Sequence, residues 1–393
     1  MVKRFDTVAT ISFVSFFSSL YFYIPVLTIY YQSKGLNFTA INSLTGILIG
    51  TIFLAELPTG VIADRIGRKP SIILSLFLQL LGEIIFLFAR DYSYFIASSV
   101  LAGLGFAFRS GCWQALVYDS LKEVKNEGAM QRVAGRINAF SQGGQVLGAL
   151  VSSLVITRLS SERIQMAILL TIASVGIALF LSFLLRESKQ YQKDIHPNPS
   201  ELLRKTIALM RTNASLRRII LLGIFSTPFV HFLLALEPPY LLGAGVPPAL
   251  LGFALAAGGV LALWASKNAY QLEKRFGVDR AVLIATLTPP MLYVLMGFFV
   301  HPVLAVFLFI TNYGSMSLQD PLFADYYNRH IASPIRATAL SAINMFSSLY
   351  IALIGLAIGR VADISVSAAF LVMAGIIIVG TLLFRINKTH VSL

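Results

Sequence analysis

The chain has 393 residues, of which 56% are apolar and only 12% charged, with a formal net charge of +13; its mean hydropathy is +0.77. Soluble domains carry about twice that charged fraction, so the excess of Lys and Arg does not describe a nucleic-acid-binding domain. A single cysteine, Cys112, excludes a disulfide framework and a cysteine-based zinc site.

The apolar residues run in blocks of about 20, the length of a membrane-crossing helix and not of a barrel strand. The first block follows Met1-Val-Lys-Arg at once and has no small-residue cleavage site, so it reads as a first span and not as a signal peptide. Twelve spans are expected, at about 8–31, 39–62, 71–89, 94–118, 133–157, 164–185, 219–243, 248–270, 281–299, 301–327, 334–358 and 364–385. Most connections are short. The exception is a charged linker, 186–218, which divides the chain into a six-helix bundle at 1–185 and another at 219–393. Part of that linker, around 202–216, has the pattern of an amphipathic helix lying on the membrane surface.

With the N-terminus inside, the inner segments hold 25 Lys and Arg residues and the outer ones five: Lys34, Arg90, Arg158, Arg163 and Arg360. That bias places both termini in the cytoplasm. The remaining basic residue, Arg109, falls inside the fourth span. The halves also resemble each other: Arg65-Ile66-Gly67 recurs as Arg275-Phe276-Gly277 at an offset of 210. Six-helix parallel repeats are an established transporter plan.

Residues 60–69 read Gly-Val-Ile-Ala-Asp-Arg-Ile-Gly-Arg-Lys, directly after the second span. With the six-plus-six order, this resembles the major facilitator superfamily, whose G-x-x-x-D-R-x-G-R-K signature it matches at every fixed position. The resemblance covers the whole chain. Glu56-Leu-Pro-Thr-Gly60, and Ser110-Gly111 through Tyr118-Asp119-Ser120, are similar to bacterial multidrug and efflux-type members. The resemblance implies an all-α bundle of two six-helix pseudo-repeats in a prokaryotic cytoplasmic membrane, working as a monomer by alternating access without a cofactor. It also implies that contacts around the signature lock the halves on the cytoplasmic side. Gly60, Asp64, Arg65, Gly67, Arg68, Asp119 and Arg336 are the expected latch. Gly60 and Gly67 allow close packing and a tight turn, Arg68 can pair with Asp119, and Asp64 can meet the N-terminus of span eleven, which opens with Ser333-Pro334. The sequence departs from the family pattern at Ser99, where an arginine is common. It also reads Gly143-Gly144-Gln145-Val146-Leu147-Gly148 in span five, without the Gly-Pro pair of the antiporter signature.

Ionisable groups inside a bilayer cost at least about 2.5–3.5 kcal/mol and normally face a partner or a cavity. The candidates are Glu56, Glu83, Arg109, His231, Glu237, Asp320 and Asp325. In the superfamily, spans one, four, seven and ten line the cavity, which singles out Arg109, Glu237 and Asp320. Arg109 and Glu56 fall at similar depth and are expected to form a proton-sensitive pair, with Asp320 as a further proton-coupling group. Arg109 alone suits a carboxylate or phosphate. Tyr30, Trp113, Gln114, Asn312 and Tyr313 complete the expected substrate site, aromatic enough to take amphipathic ligands and cations. Pro238-Pro239 after Glu237, and Pro321 after Asp320, are expected to break spans seven and ten. Glu83 and His231 read as structural. No phosphate loop is present, and the histidines lack metal-ligand spacing, so neither an enzyme nor a metal site is expected. The function expected first is secondary transport, as proton-coupled export of amphipathic or lipophilic molecules. The alternatives are an organic anion (a carboxylate metabolite or siderophore) bound through Arg109, or a lipid or lysolipid.

Overall fold

The computed structural model describes residues 6–123, 125–187, 214–331 and 333–385. Most of the expected amphipathic stretch at 202–216 lies outside them. All the described elements are helical, with no strand among them.

The first span is two helices, α1 (Asp6–Phe17) and α2 (Leu27–Ser33), joined by irregular backbone and a 3-10 turn at Ile24–Val26. α3 (Phe38–Ile66) and α4 (Arg68–Leu87) are spans two and three. α5 (Tyr92–Arg109) and α6 (Cys112–Glu123) form span four, α7 (Met130–Val155) span five and α8 (Ser161–Ser182) span six. In the second half, α9 (Ala214–Ser226) and α10 (Phe229–Gly243) make span seven, α11 (Leu251–Phe276) span eight and α12 (Val278–Phe298) span nine. α13 (Pro302–Met316) and α14 (Gln319–His330) make span ten, followed by α15 (Ser333–Ile364) and α16 (Val366–Leu383).

Nine of these segments are long and apolar enough to cross a membrane. Spans one, five and ten complete the twelve. Span one is divided into helices of 12 and 7 residues, span ten into helices of 15 and 12, and α7 carries Arg132, Arg136, Gln142 and Gln145 within its 26 residues. The protein is thus an all-α, twelve-span membrane protein.

The interruptions follow a rule. Spans one, four, seven and ten, the first of each successive group of three, are each broken near mid-length. Span four turns at Gly111, whose φ of +75° belongs to glycine. Span seven breaks at Thr227-Pro228, where proline withholds a backbone donor. The expected break at Pro238-Pro239 does not occur: both prolines lie inside α10. Membrane helices tolerate proline where neighbours re-satisfy the freed carbonyls. Span ten does break where Asp320-Pro321 pointed, with both residues in the first turn of α14.

The repeat shows in the backbone. Gly67 ends the α3–α4 turn at φ 99°, ψ 164°, and Gly277 ends the α11–α12 turn at φ 81°, ψ 161°. That region of backbone space is essentially open only to glycine.

The chain divides into two compact units. The first is Met1–Gly35, Leu44–His196 and Pro248–Ala256; the second is Leu36–Ser43, Pro197–Pro247 and Ala257–Leu393. Each therefore takes the opening turns of one long helix of the other half. In the second unit, Asp363 at the end of α15 accepts from Phe38 N (2.6 Å), Thr39 N (3.2 Å) and Thr39 Oγ1 (2.6 Å), capping the start of α3. Gly359, one turn earlier, lets the α3 backbone close in: a Cβ there would sit 2.7 Å from Thr39 Cα. In the first unit, a Cβ on Gly252 of α11 would run into the Ala149 carbonyl oxygen.

Candidate functional site

The break in span one organises the interior of the first unit. Between α1 and the 3-10 turn the backbone loses its helical ladder, and side chains of neighbouring helices take its place. Phe22 N donates to Thr171 Oγ1 (3.1 Å), Ser174 Oγ donates to the Phe17 carbonyl (2.8 Å) and Gln79 Nε2 donates to the Ser18 carbonyl (3.2 Å). α7 closes over the same segment with its glycines. A Cβ on Gly144 would meet Phe16 O at 2.5 Å, and one on Gly148 would meet Tyr21 O at 2.8 Å.

A polar network runs from this break. Ser71, Ser75, Gln79 and Glu83 recur every fourth residue along α4 and are all buried. Such spacing puts them on one helical face. Glu83, 6% exposed, accepts from Tyr23 Oη at 2.8 and 3.1 Å through its two carboxylate oxygens. The Tyr21 side chain lies beside it. Gln79 Nε2 donates to Tyr21 Oη (2.8 Å) as well as to the Ser18 carbonyl. Arg109, at the last residue of α5, donates through Nη1 to Ser18 Oγ (3.2 Å). The interruptions of spans one and four therefore meet, and a guanidinium and a carboxylate are joined through Ser18, Gln79 and Tyr21.

Arg109 is half-buried, and its guanidinium lies 5.0 Å from the centre of the Phe106 ring. Among the described residues no acidic side chain lies within salt-bridge distance of it, whereas Arg68 and Asp119 form an ion pair. The expected Arg109–Glu56 pair is not present. Glu56 is exposed on α3 and accepts a long contact (3.5 Å) from Ser110 Oγ.

Other expected site residues fall in several places. Tyr30, 5% exposed, packs with Phe86 and Phe95 and donates to the Phe86 carbonyl at 3.5 Å, so it is a packing residue here. Trp113 packs half-buried against the Leu116–Val117 core. Gln114 lines a pocket of about 330 Å³ with Arg68, Gly111, Tyr118, Asp119 and Met130. In the second unit, Glu237 is 1% exposed and Asn312 is fully buried, and neither Glu237 Oε1 nor Asn312 Oδ1 meets a hydrogen-bond partner among the described residues. Tyr313 stacks on Phe309 and touches the face of α11 at Gly258, while Asp320 is exposed.

At the signature loop, Arg68 and Asp119 form a buried ion pair, and Asp64 is half-buried and Arg65 exposed. Gly60 lies inside α3. Arg336 sits in the first turn of α15, but its side chain lies outside the described residues. Glu187, which the sequence reading left in the linker, caps α4: its two carboxylate oxygens accept from Arg68 N (2.9 Å) and Lys69 N (2.7 Å).

Residues 9–355 match the Major Facilitator Superfamily, and the chain belongs to that family. It is 20% identical over 382 residues to the uncharacterized MFS-type transporter YxaM of Bacillus subtilis, covering 92% of this chain and 90% of that one. Among solved structures, the nucleoside transporter NupG superposes with a TM-score of 0.79 at 13% identity, covering 98% of both chains. The D-xylose–proton symporter superposes with a TM-score of 0.76 at 15% identity, covering 99% of this chain and 98% of that one. At such identities the structural likeness establishes the fold. The protein is a multi-pass membrane transporter of a small molecule, not an enzyme.

Proposed function

We propose that this transporter carries a small organic anion, recognised by Arg109, with the proton as coupling ion. The carrying observation is the guanidinium itself: it lies in mid-span at the meeting of two helix breaks, with a hydroxyl for a partner and no carboxylate of the described residues within reach. A cation held in a membrane span calls for a counter-charge, and the planar fork of arginine matches a carboxylate or phosphate by two parallel hydrogen bonds. Phe106 beside it supplies an apolar wall for the body of the ligand. Proton coupling accords with one structural neighbour, the D-xylose–proton symporter. Export of lipophilic cations draws less support, since Arg109 repels them and Tyr30 is committed to packing. The Arg68–Asp119 pair and the Glu187 cap favour the latch role of the signature loop. The basic-residue bias favours cytoplasmic termini.

The test is a thermal-shift panel on the purified full chain, using lactate, benzoate, succinate and citrate against their uncharged amides, with tetraphenylphosphonium as the lipophilic cation. A ligand at 100 times its Kd stabilises by about 2.7 kcal/mol. An anion that raises Tm while its amide does not, with the shift lost in Arg109→Gln, is the expected result. A shift from tetraphenylphosphonium alone, or one that survives Arg109→Gln, contradicts the proposal.

A further inference from the structure

The geometry points to Glu83 as the proton-binding group of this transporter, linked through Tyr21, Gln79 and Ser18 to the anion site at Arg109, so that proton and anion are carried together; this rests on the anion reading above. Glu83 read as structural from sequence, and the expected coupling groups, Glu56 and Asp320, are both exposed. Among the described acidic residues of the first unit, Glu83 is buried without a basic partner, whereas Asp119, the other buried acid, is paired with Arg68.

Gln79 bridges the two ends. Arg109 donates to the Ser18 hydroxyl; Gln79 donates to the Ser18 carbonyl on one side and to Tyr21, beside Glu83, on the other. The Tyr23 hydroxyl donates to the Glu83 carboxylate, an arrangement that favours its ionised form. In that state the interior holds one positive and one negative group, and the pair is self-compensated across the chain of hydrogen bonds. A proton on Glu83 removes the negative end and leaves Arg109 uncompensated. A monovalent anion then restores neutrality, and two-way linkage follows: proton binding strengthens anion binding by the same factor as the reverse. The groups facing Glu83 are few. Span one presents Tyr21, Tyr23 and Tyr31, and α5 presents Arg109 by way of Tyr21. The charged residues of α8, Glu162 and Arg163, are exposed, and Arg163 is turned to the Val155 carbonyl. Those of α6, Asp119, Lys122 and Glu123, lie at its far end, with Asp119 taken by Arg68.

The proton site can be read without any substrate. Infrared difference spectra of the full chain in lipid, taken between acidic and alkaline buffer, are expected to show a protonated-carboxyl band that disappears in Glu83→Gln and moves in frequency in Tyr23→Phe. The linkage is then read by binding of benzoate, lactate, succinate and citrate at the two pH values. Binding is expected to be tighter in acid by roughly 5–150-fold, the range of coupled sites. Glu83→Gln is expected to bind with acid-like affinity at both. A band that survives Glu83→Gln overturns the assignment, as does wild-type pH dependence in that variant. Should Glu83→Gln not fold, Tyr23→Phe decides, and a variant unchanged in both band and pH dependence overturns it. A panel in which none of the four anions binds contradicts the anion reading, while the infrared band still judges Glu83 separately.

Discussion

At the residue scale, charge is expensive in this protein, and the buried groups of the first unit are held by specific partners. Arg68 and Asp119 are paired at side-chain exposures of 8% and 7%. Removing one member of a buried pair leaves the other uncompensated, at about 3–5 kcal/mol. Asp119→Ala is therefore expected to lower Tm strongly, whereas Arg65→Ala, at an exposed position, should leave it almost unchanged; differential scanning fluorimetry of the two variants compares them directly. The sequence made Arg109 conspicuous, because an arginine inside an apolar span has few uses. It did not show that Glu56 turns away, since similar depth along two helices does not fix which faces meet. The polar face of α4 was legible in principle: Ser71, Ser75, Gln79 and Glu83 are four residues apart in an otherwise apolar span. Its partners were not, because Tyr21 and Tyr23 reach it only through the irregular backbone before Pro25.

At the scale of the element, the broken spans depend on glycines in their neighbours. Gly144 and Gly143 are adjacent in α7 but differ in surroundings: a Cβ at Gly144 would meet Phe16 O at 2.5 Å, and one at Gly143 nothing within 4 Å. Gly144→Ala is expected to destabilise by about 1–3 kcal/mol through overpacking. Gly143→Ala is expected to be neutral or to gain up to about 1 kcal/mol of helix propensity. Equal Tm changes in the two variants would remove the case for close approach of α7 to the break. Asp363→Ala takes away the cap of α3, an expected loss of about 0.5–2 kcal/mol, read in the same assay. The break in span seven shows where sequence reasoning fails. A tandem proline is the stronger breaker in isolation, yet Pro238-Pro239 stays in a helix and the single Pro228 ends one. Packing of neighbouring helices, which a local pattern does not contain, decides between them.

For the whole molecule, the twelve-span order and the 210-residue recurrence of the turn glycines were readable, because span length and the turn glycines are local properties. The exchange of helix ends between units was not, since Leu36–Ser43 and Pro248–Ala256 are apolar helix starts like any others in sequence. The basic-residue bias predicts that a fluorescent-protein fusion after residue 125 or residue 205 stays cytoplasmic and fluoresces, while one after Arg158 does not. The reverse pattern would invert the topology proposed here. Recognition of an anion by Arg109 is tested most directly by counterflow in proteoliposomes. Vesicles loaded with the unlabelled anion that raised Tm are diluted into its labelled form, for wild type and Arg109→Gln. Rapid exchange by the wild type, absent in Arg109→Gln and absent for the matching amide, is the predicted result. Equal exchange by Arg109→Gln, or equal movement of the amide, would contradict it.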